Sequence, residues 1–211
     1  MKEWLEELNK ETLYLFHHLD LYKKLIDIIN NNSQLKRMDN TVLLWMERAF
    51  TRDLVIGICR ICDRDKESLG LARFLEELKN KPELLTRTSF ISLYDRSDLC
   101  FANMDFDNMA GKDKQSFPID EIEADIKSIT KDEPFNKLKT YRDQYLAHSD
   151  REKEKISLSY DELFNAFKIV EKVINKYNGL IRSSTFLKLE PEMQGYWQEP
   201  FTIPWIIGNK D

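Results

Sequence analysis

Glycine and proline are scarce, six of each in 211 residues, which leaves little turn punctuation for a many-stranded β fold. Excess positive charge is missing as well. Lys and Arg total 32 against 37 Asp and Glu, a net of −5, whereas a generic nucleic-acid binder shows a basic face because phosphate contacts dominate affinity. Long apolar runs are absent: LVIGIC (54–59) is the longest near the middle, far short of the roughly 18 residues that a membrane span needs. The opening MKEWLEELNKE carries acids where a signal peptide needs a basic and then an apolar stretch. Three cysteines give no even framework for disulfides. The expectation is a cytoplasmic protein with no membrane partner.

What is present is helical in character. Hydrophobic residues at 42% beside 33% charged residues fit a folded chain rather than a disordered one. The reading is all-α: an antiparallel helical bundle over 1–190, then an apolar, aromatic tail over 191–211 that packs on the domain or on a partner. In 2–30, Trp4, Leu8, Leu15, Leu19, Tyr22, Ile26 and Ile29 recur at helical spacing, and NNNSQ (30–34) ends the segment. A second helix is expected over 41–63. Leu43, Leu44, Trp45, Phe50, Leu54, Ile58 and Ile61 lie on several of its sides, which predicts a central, buried element. Further helices are expected over 69–79 and 84–100. The Asn, Asp and Gly of 101–118 predict a loop. Ile119, Ile122, Ile126 and Ile129 mark the next helix, KDEP (131–134) separates it from another over 135–147, and a capping box at Ser159 and Glu162 opens the last long one.

The helix over 135–147 carries YRDQYLAHSD (141–150), which concentrates chemistry in a chain with three histidines. Arg142 and His148 are six residues apart, about 120° around an ideal helix. They converge if the last turn loosens, and SDREKEK (149–155) signals a helix end there. A histidine in a last turn is favoured in its protonated form by the helix dipole, and its ordinary pKa of about 6.5 suits proton exchange. The arginine binds phosphate oxygens bidentately. Asp143, as the next residue, points elsewhere on a regular helix and is a candidate to orient a facing chain's arginine or histidine. Lys139 and Tyr145 lie three residues either side of Arg142 and supply a cation and a base-stacking ring. Arg151 follows as another candidate for RNA contact. This is a kit for RNA cleavage without a metal or cofactor: a base for the ribose 2′-hydroxyl and a cation for the phosphate. The leaving oxygen needs a second proton donor, and a two-fold dimer would supply it by repeating the patch.

YRDQYLAHSD resembles the signature of the HEPN superfamily, an arginine, a polar residue, a short spacer and a histidine. KTYRDQYLAHSD, with the upstream segment ending RICDRD (60–65), is similar to the AbiU-type abortive-infection branch. The resemblance implies a homodimeric helical bundle and a metal-independent RNA endonuclease, acting on single-stranded or loop RNA as a toxin or phage-defence effector, with an antitoxin as a possible partner. It assigns catalysis to Arg142 and His148 and makes Asp143 the polar neighbour. One departure stands: where HEPN toxins silenced by nucleotidyltransferases often carry tyrosine, two residues after the histidine, this chain has Asp150.

Plainer readings stay open beside these. Arg142 and His148 also fit a paired arginine and a histidine capping helix-end carbonyls. The whole chain also fits a non-catalytic HEPN module that binds nucleotide, RNA or protein. Cys59 and Cys62 form a Cys-x-x-Cys, but inside an apolar helix they read as core cysteines rather than as zinc or redox ligands. His17 and His18, mid-helix, read as surface or boundary residues. Asp105, Asp107 and Asn108 lack the closing glutamate of a calcium loop.

Overall fold

The computed structural model describes residues 1–37, 41–65, 67–147, 156–184 and 196–203. Helix α1 (Lys2–Asn31) ends where the Asn32 side chain accepts from the amides of Gln34 and Leu35. That asparagine starts the short α2 (Ser33–Arg37). Helix α3 (Thr41–Ile61) returns along α1, and α4 (Leu71–Lys79) follows. Two 3₁₀ turns, Pro82–Leu85 and Arg96–Asp98, flank α5 (Arg87–Ile91); α6 (Leu99–Ala110), α7 (Ile119–Thr130) and α8 (Glu133–Tyr141) come next. Beyond α8 the chain widens into a π-helical segment, Arg142–Ala147. The long α9 (Tyr160–Arg182) completes the core, and α10 (Glu199–Thr202) lies in the tail. Among the described residues there is no strand, only an isolated bridge between Thr86 and Ser116.

The frame is α1, α3 and α9 in mutual contact. Leu5, Leu8, Leu15 and Leu19 of α1 are buried against Leu54, Val55 and Ile58 of α3 and Leu163, Phe167, Val170 and Ile174 of α9. Gly57 lets α1 and α3 approach closely, since a Cβ there would lie 2.7 Å or less from both Leu15 methyls. Each such fully buried aliphatic side chain stabilises by about 1.5–3 kcal/mol relative to an exposed one. Polar contacts fix the register. Asn9 and Asn178 exchange side-chain hydrogen bonds of 2.9 and 2.7 Å inside the core. Tyr177, buried on α9, donates to Asp125 of α7 at 2.8 Å. The capping box is formed, Ser159 accepting from the Glu162 amide while Glu162 accepts from Ser159.

Three expectations are corrected. The supposed loop over 101–118 is helical as far as Ala110. Its turn-forming Asn and Asp occupy outer positions, while Ala102, Phe106 and Ala110, four apart, form an inward stripe. The stretch 84–100 is not one helix. The Thr86 side chain accepts from the Ser89 amide and starts the five-residue α5, and Ser92, Tyr94 and Asp95 carry the chain out of it. Helix α3 is buried only in its second half: Val42, Leu44 and Trp45 are exposed, Trp45 by 66%. The other stripes largely hold, although Ile119 is exposed.

Among the described residues no helix is long and apolar enough to cross a membrane. In the described part of the tail Tyr196, Phe201 and Ile203 are exposed, and the Trp197 and Phe201 rings meet edge-on at 6.3 Å.

Candidate functional site

The motif helix starts at Glu133 with Pro134 in its first turn, where a missing amide hydrogen costs nothing. Phe135 and Leu138 bury its inner face. At Thr140 the hydroxyl donates back to the Asn136 carbonyl at 2.9 Å, a side-chain competitor for the helical ladder. Two residues later the π-helical turn begins with Arg142. Such widened turns recur at functional positions. The loosened turn that convergence of Arg142 and His148 requires is present as far as Ala147, the last described residue of the motif helix.

Arg142 and Asp143 meet directly. The guanidinium donates through Nε at 2.8 Å and through a terminal nitrogen at 2.7 Å to the same carboxylate oxygen, Oδ1. The expectation that Asp143 points elsewhere is corrected: in the widened turn the long guanidinium folds back over its neighbour. Both side chains remain partly exposed, 29% and 43%. Burial works against Arg142's charge, but the hydrogen bond to Asp143 and the nearby Cys59 and Asp63 outweigh it and raise its pKa further.

Arg142 lines a cavity of about 180 Å³ between the end of α3, the end of α7 and α8. Lys139 and Arg64 bring two more cations to it, Asp63 one carboxylate, and Ile129 and Phe135 an apolar floor. Lys139 is exposed, and among the described residues it makes no ion pair. Tyr145 stacks on Tyr141, with ring centroids 5.0 Å apart and planes 15° from parallel. The tyrosine pair therefore forms a two-ring platform beside Arg142. His148, Arg151 and Asp150 lie outside the described residues.

Cys59 is half-buried in this cavity and Cys62, also lining it, is buried. Burial pushes the Cys59 thiol up to about 11, with Arg142 pulling the other way. Burial likewise raises Cys62. A thiol held that high is protonated at neutral pH and a poor nucleophile. Among the described residues no group of three or more His, Cys, Asp or Glu is placed to hold a metal. His17 and His18 are both half-buried, the boundary position of the two expected, surface or boundary. His18 pairs through Nδ1 with Asp53 of α3 and lies against Tyr14. The two histidines line no part of the Arg142 cavity.

Arg64, Asp63 and Thr130 were not among the candidates from sequence, because their approach to Arg142 is purely tertiary. The one available signal was the charged run CDRD closing an apolar helix. Gly70 sets that run's place. A Cβ at this position would stand 2.5 Å from the Asp63 carbonyl oxygen and 3.1 Å from that of Ile61.

No curated protein and no solved structure matches the chain. The family model for AbiU2, a HEPN family, matches residues 1–199. That span takes in every helix of the bundle, the Arg142 cavity and the beginning of the tail. The chain belongs to the AbiU2 family of HEPN proteins.

Proposed function

We propose that this chain is a metal-independent RNA endonuclease of the abortive-infection type, cutting single-stranded or loop RNA with Arg142 and His148 in a homodimer cleft. The observation that carries the reading is Arg142 itself. It is fixed by Asp143 on a widened helical turn, at the edge of a cavity that also draws on Lys139 and Arg64. An arginine braced this way can grip a phosphodiester without first being ordered.

In the proposed reaction His148 takes the proton from the ribose 2′-hydroxyl, and the oxygen attacks the adjacent phosphorus. Arg142 stabilises the charge that grows on the non-bridging oxygens. The bond from phosphorus to the 5′-oxygen breaks, and that oxygen receives a proton from an acid, the imidazolium of the second subunit. The products are a 2′,3′-cyclic phosphate and a free 5′-hydroxyl. Atoms and charge balance with no co-reactant. Asp143 acts as a positioning residue through Arg142, and the stacked pair of Tyr141 and Tyr145 offers a flat surface to an unpaired base.

The test is incubation of purified protein with single-stranded RNA in excess chelator, followed by analysis of the product ends. Cyclic phosphate ends are expected, and His148→Ala should slow their appearance by about a hundred- to ten-thousandfold. A folded protein that leaves RNA intact, with or without divalent cations, would sink the proposal.

A further inference from the structure

The Arg142 cavity continues into a second one. That neighbour, about 230 Å³, opens between α4 and α7 and shares Arg64 and Thr130 with the first. The two meet at Arg64 and Thr130 and are read together as one groove, which follows α7 from Glu123 to Lys131. Its new cations are Lys79, Lys127 and Lys131, and its new carboxylates are Glu76 and Glu123. Among the described residues that line the groove, six cations stand against three carboxylates, in a chain whose net charge is −5.

The distribution is more telling than the count. Glu76 is taken by Arg64 and Glu123 by Lys79. Lys127, Lys131 and Lys139 are exposed and make no ion pair with any described residue. Three paired cations, Arg64, Lys79 and Arg142, thus share the groove with three that pair with no described residue, Lys127, Lys131 and Lys139. A concave surface with unspent positive charge focuses the field and raises the local concentration of a polyanion.

We infer that this groove is the path of the RNA strand on one side of the cut, with Lys127 and Lys131 taking backbone phosphates beyond the one held by Arg142. The inference rests on the endonuclease reading for its ligand and extends it from a point to a track. It commits to single-stranded RNA bound through its backbone without regard to sequence. The simpler role for the two lysines is to offset the carbonyl end of α7.

The experiment uses the full chain and a fluorescein-labelled, mixed-sequence 12-mer of 2′-O-methyl RNA, which cannot be cut by 2′-hydroxyl attack. Anisotropy gives the affinity across a salt series, and thermal melts run beside it. The double variant Lys127→Glu/Lys131→Glu should weaken binding by about tenfold or more, equally for unrelated sequences. The milder Lys127→Gln/Lys131→Gln should flatten the plot of log affinity against log salt by about 1.4, the loss of two single-strand phosphate contacts. Lys112→Glu/Lys114→Glu, an equal charge change at exposed residues outside the groove, should do neither.

The groove is overturned if the glutamine pair keeps the parent's affinity and slope, if the Lys112 and Lys114 pair weakens binding equally, or if the parent fails to bind the probe in 50 mM salt. Failure of the nuclease reading shows separately. Parent protein that binds through Lys127 and Lys131 but never cuts natural RNA loses the chemistry and keeps the track. Protein that cuts RNA while the lysine variants bind normally loses the track and keeps the chemistry.

Discussion

Gly70 rests against the backbone of Asp63 so closely that a Cβ would come within 2.5 Å of the Asp63 carbonyl oxygen. Its φ of −64° suits any residue, so the demand for glycine comes from space and not from backbone conformation. The loop between α3 and α4 therefore folds tightly onto the end of α3, and Asp63 and Arg64 are delivered to the cavity as part of that fold. Gly70→Ala should cost about 1–3 kcal/mol by overpacking, read as a lowered melting temperature. Gly70 is also the N-cap of α4, a position where serine ordinarily matches or betters glycine. Gly70→Ser should nonetheless be no better than alanine, and recovery by serine would show that capping sets the requirement.

Asp143 is expected to act through Arg142 alone. Asp143→Asn keeps the shape but gives up the charged hydrogen bond, so the guanidinium loses its brace while staying free to meet phosphate. The turnover number for RNA should fall, by up to about a hundredfold for a misplaced group, while affinity holds or improves. Equal losses in both would show that Asp143 contacts the substrate.

The thiols should react in an order set by burial and charge. Cys100 is exposed and should be alkylated first. Cys59, pushed up to about 11 chiefly by burial, should react slowly at neutral pH and faster as pH rises toward that value. Arg142→Ala removes the larger of the two cationic influences that lower it, Lys139 being the smaller, so Cys59 should become slower still at any fixed pH below 11. Mass spectrometry of timed alkylation reads all three rates.

Two buried polar sites should respond in opposite ways. Asn178→Leu strands the Asn9 amide and should destabilise by about 1–3 kcal/mol, whereas adding Asn9→Leu should recover most of the loss. Thr12 is buried, and its hydroxyl has no partner among the described residues. Thr12→Val removes that orphan at nearly constant shape and should be neutral or stabilising by about 1 kcal/mol. Denaturant midpoints measure each change.

Helix α9 was legible from sequence because its signals agree: a capping box, then Leu163, Phe167, Val170, Ile174, Tyr177 and Ile181 on one face, all buried. Helix α6 was not. Its inward stripe, Ala102, Phe106 and Ala110, contains only one large apolar residue, and the intervening Asn and Asp imitate a turn. Exposed Trp45 shows the converse limit, since hydrophobicity on several sides of a helix does not say which sides find a neighbour. In the site, the Arg142 motif could be read from its residue types. Asp143's contact with Arg142 depends on the π-helical turn, and Arg64 depends on a loop held by Gly70; neither has a local pattern. His148, the other half of the motif, falls outside the described residues.

The reciprocal amide pair joins positions 169 residues apart, one on the first helix and one on the last of the core. During synthesis α3 can cover part of the inner surface of α1 early, but the side that meets α9 stays open until Asn178 has left the ribosome. A truncated or stalled chain therefore has the motif helix but no closed core to brace it.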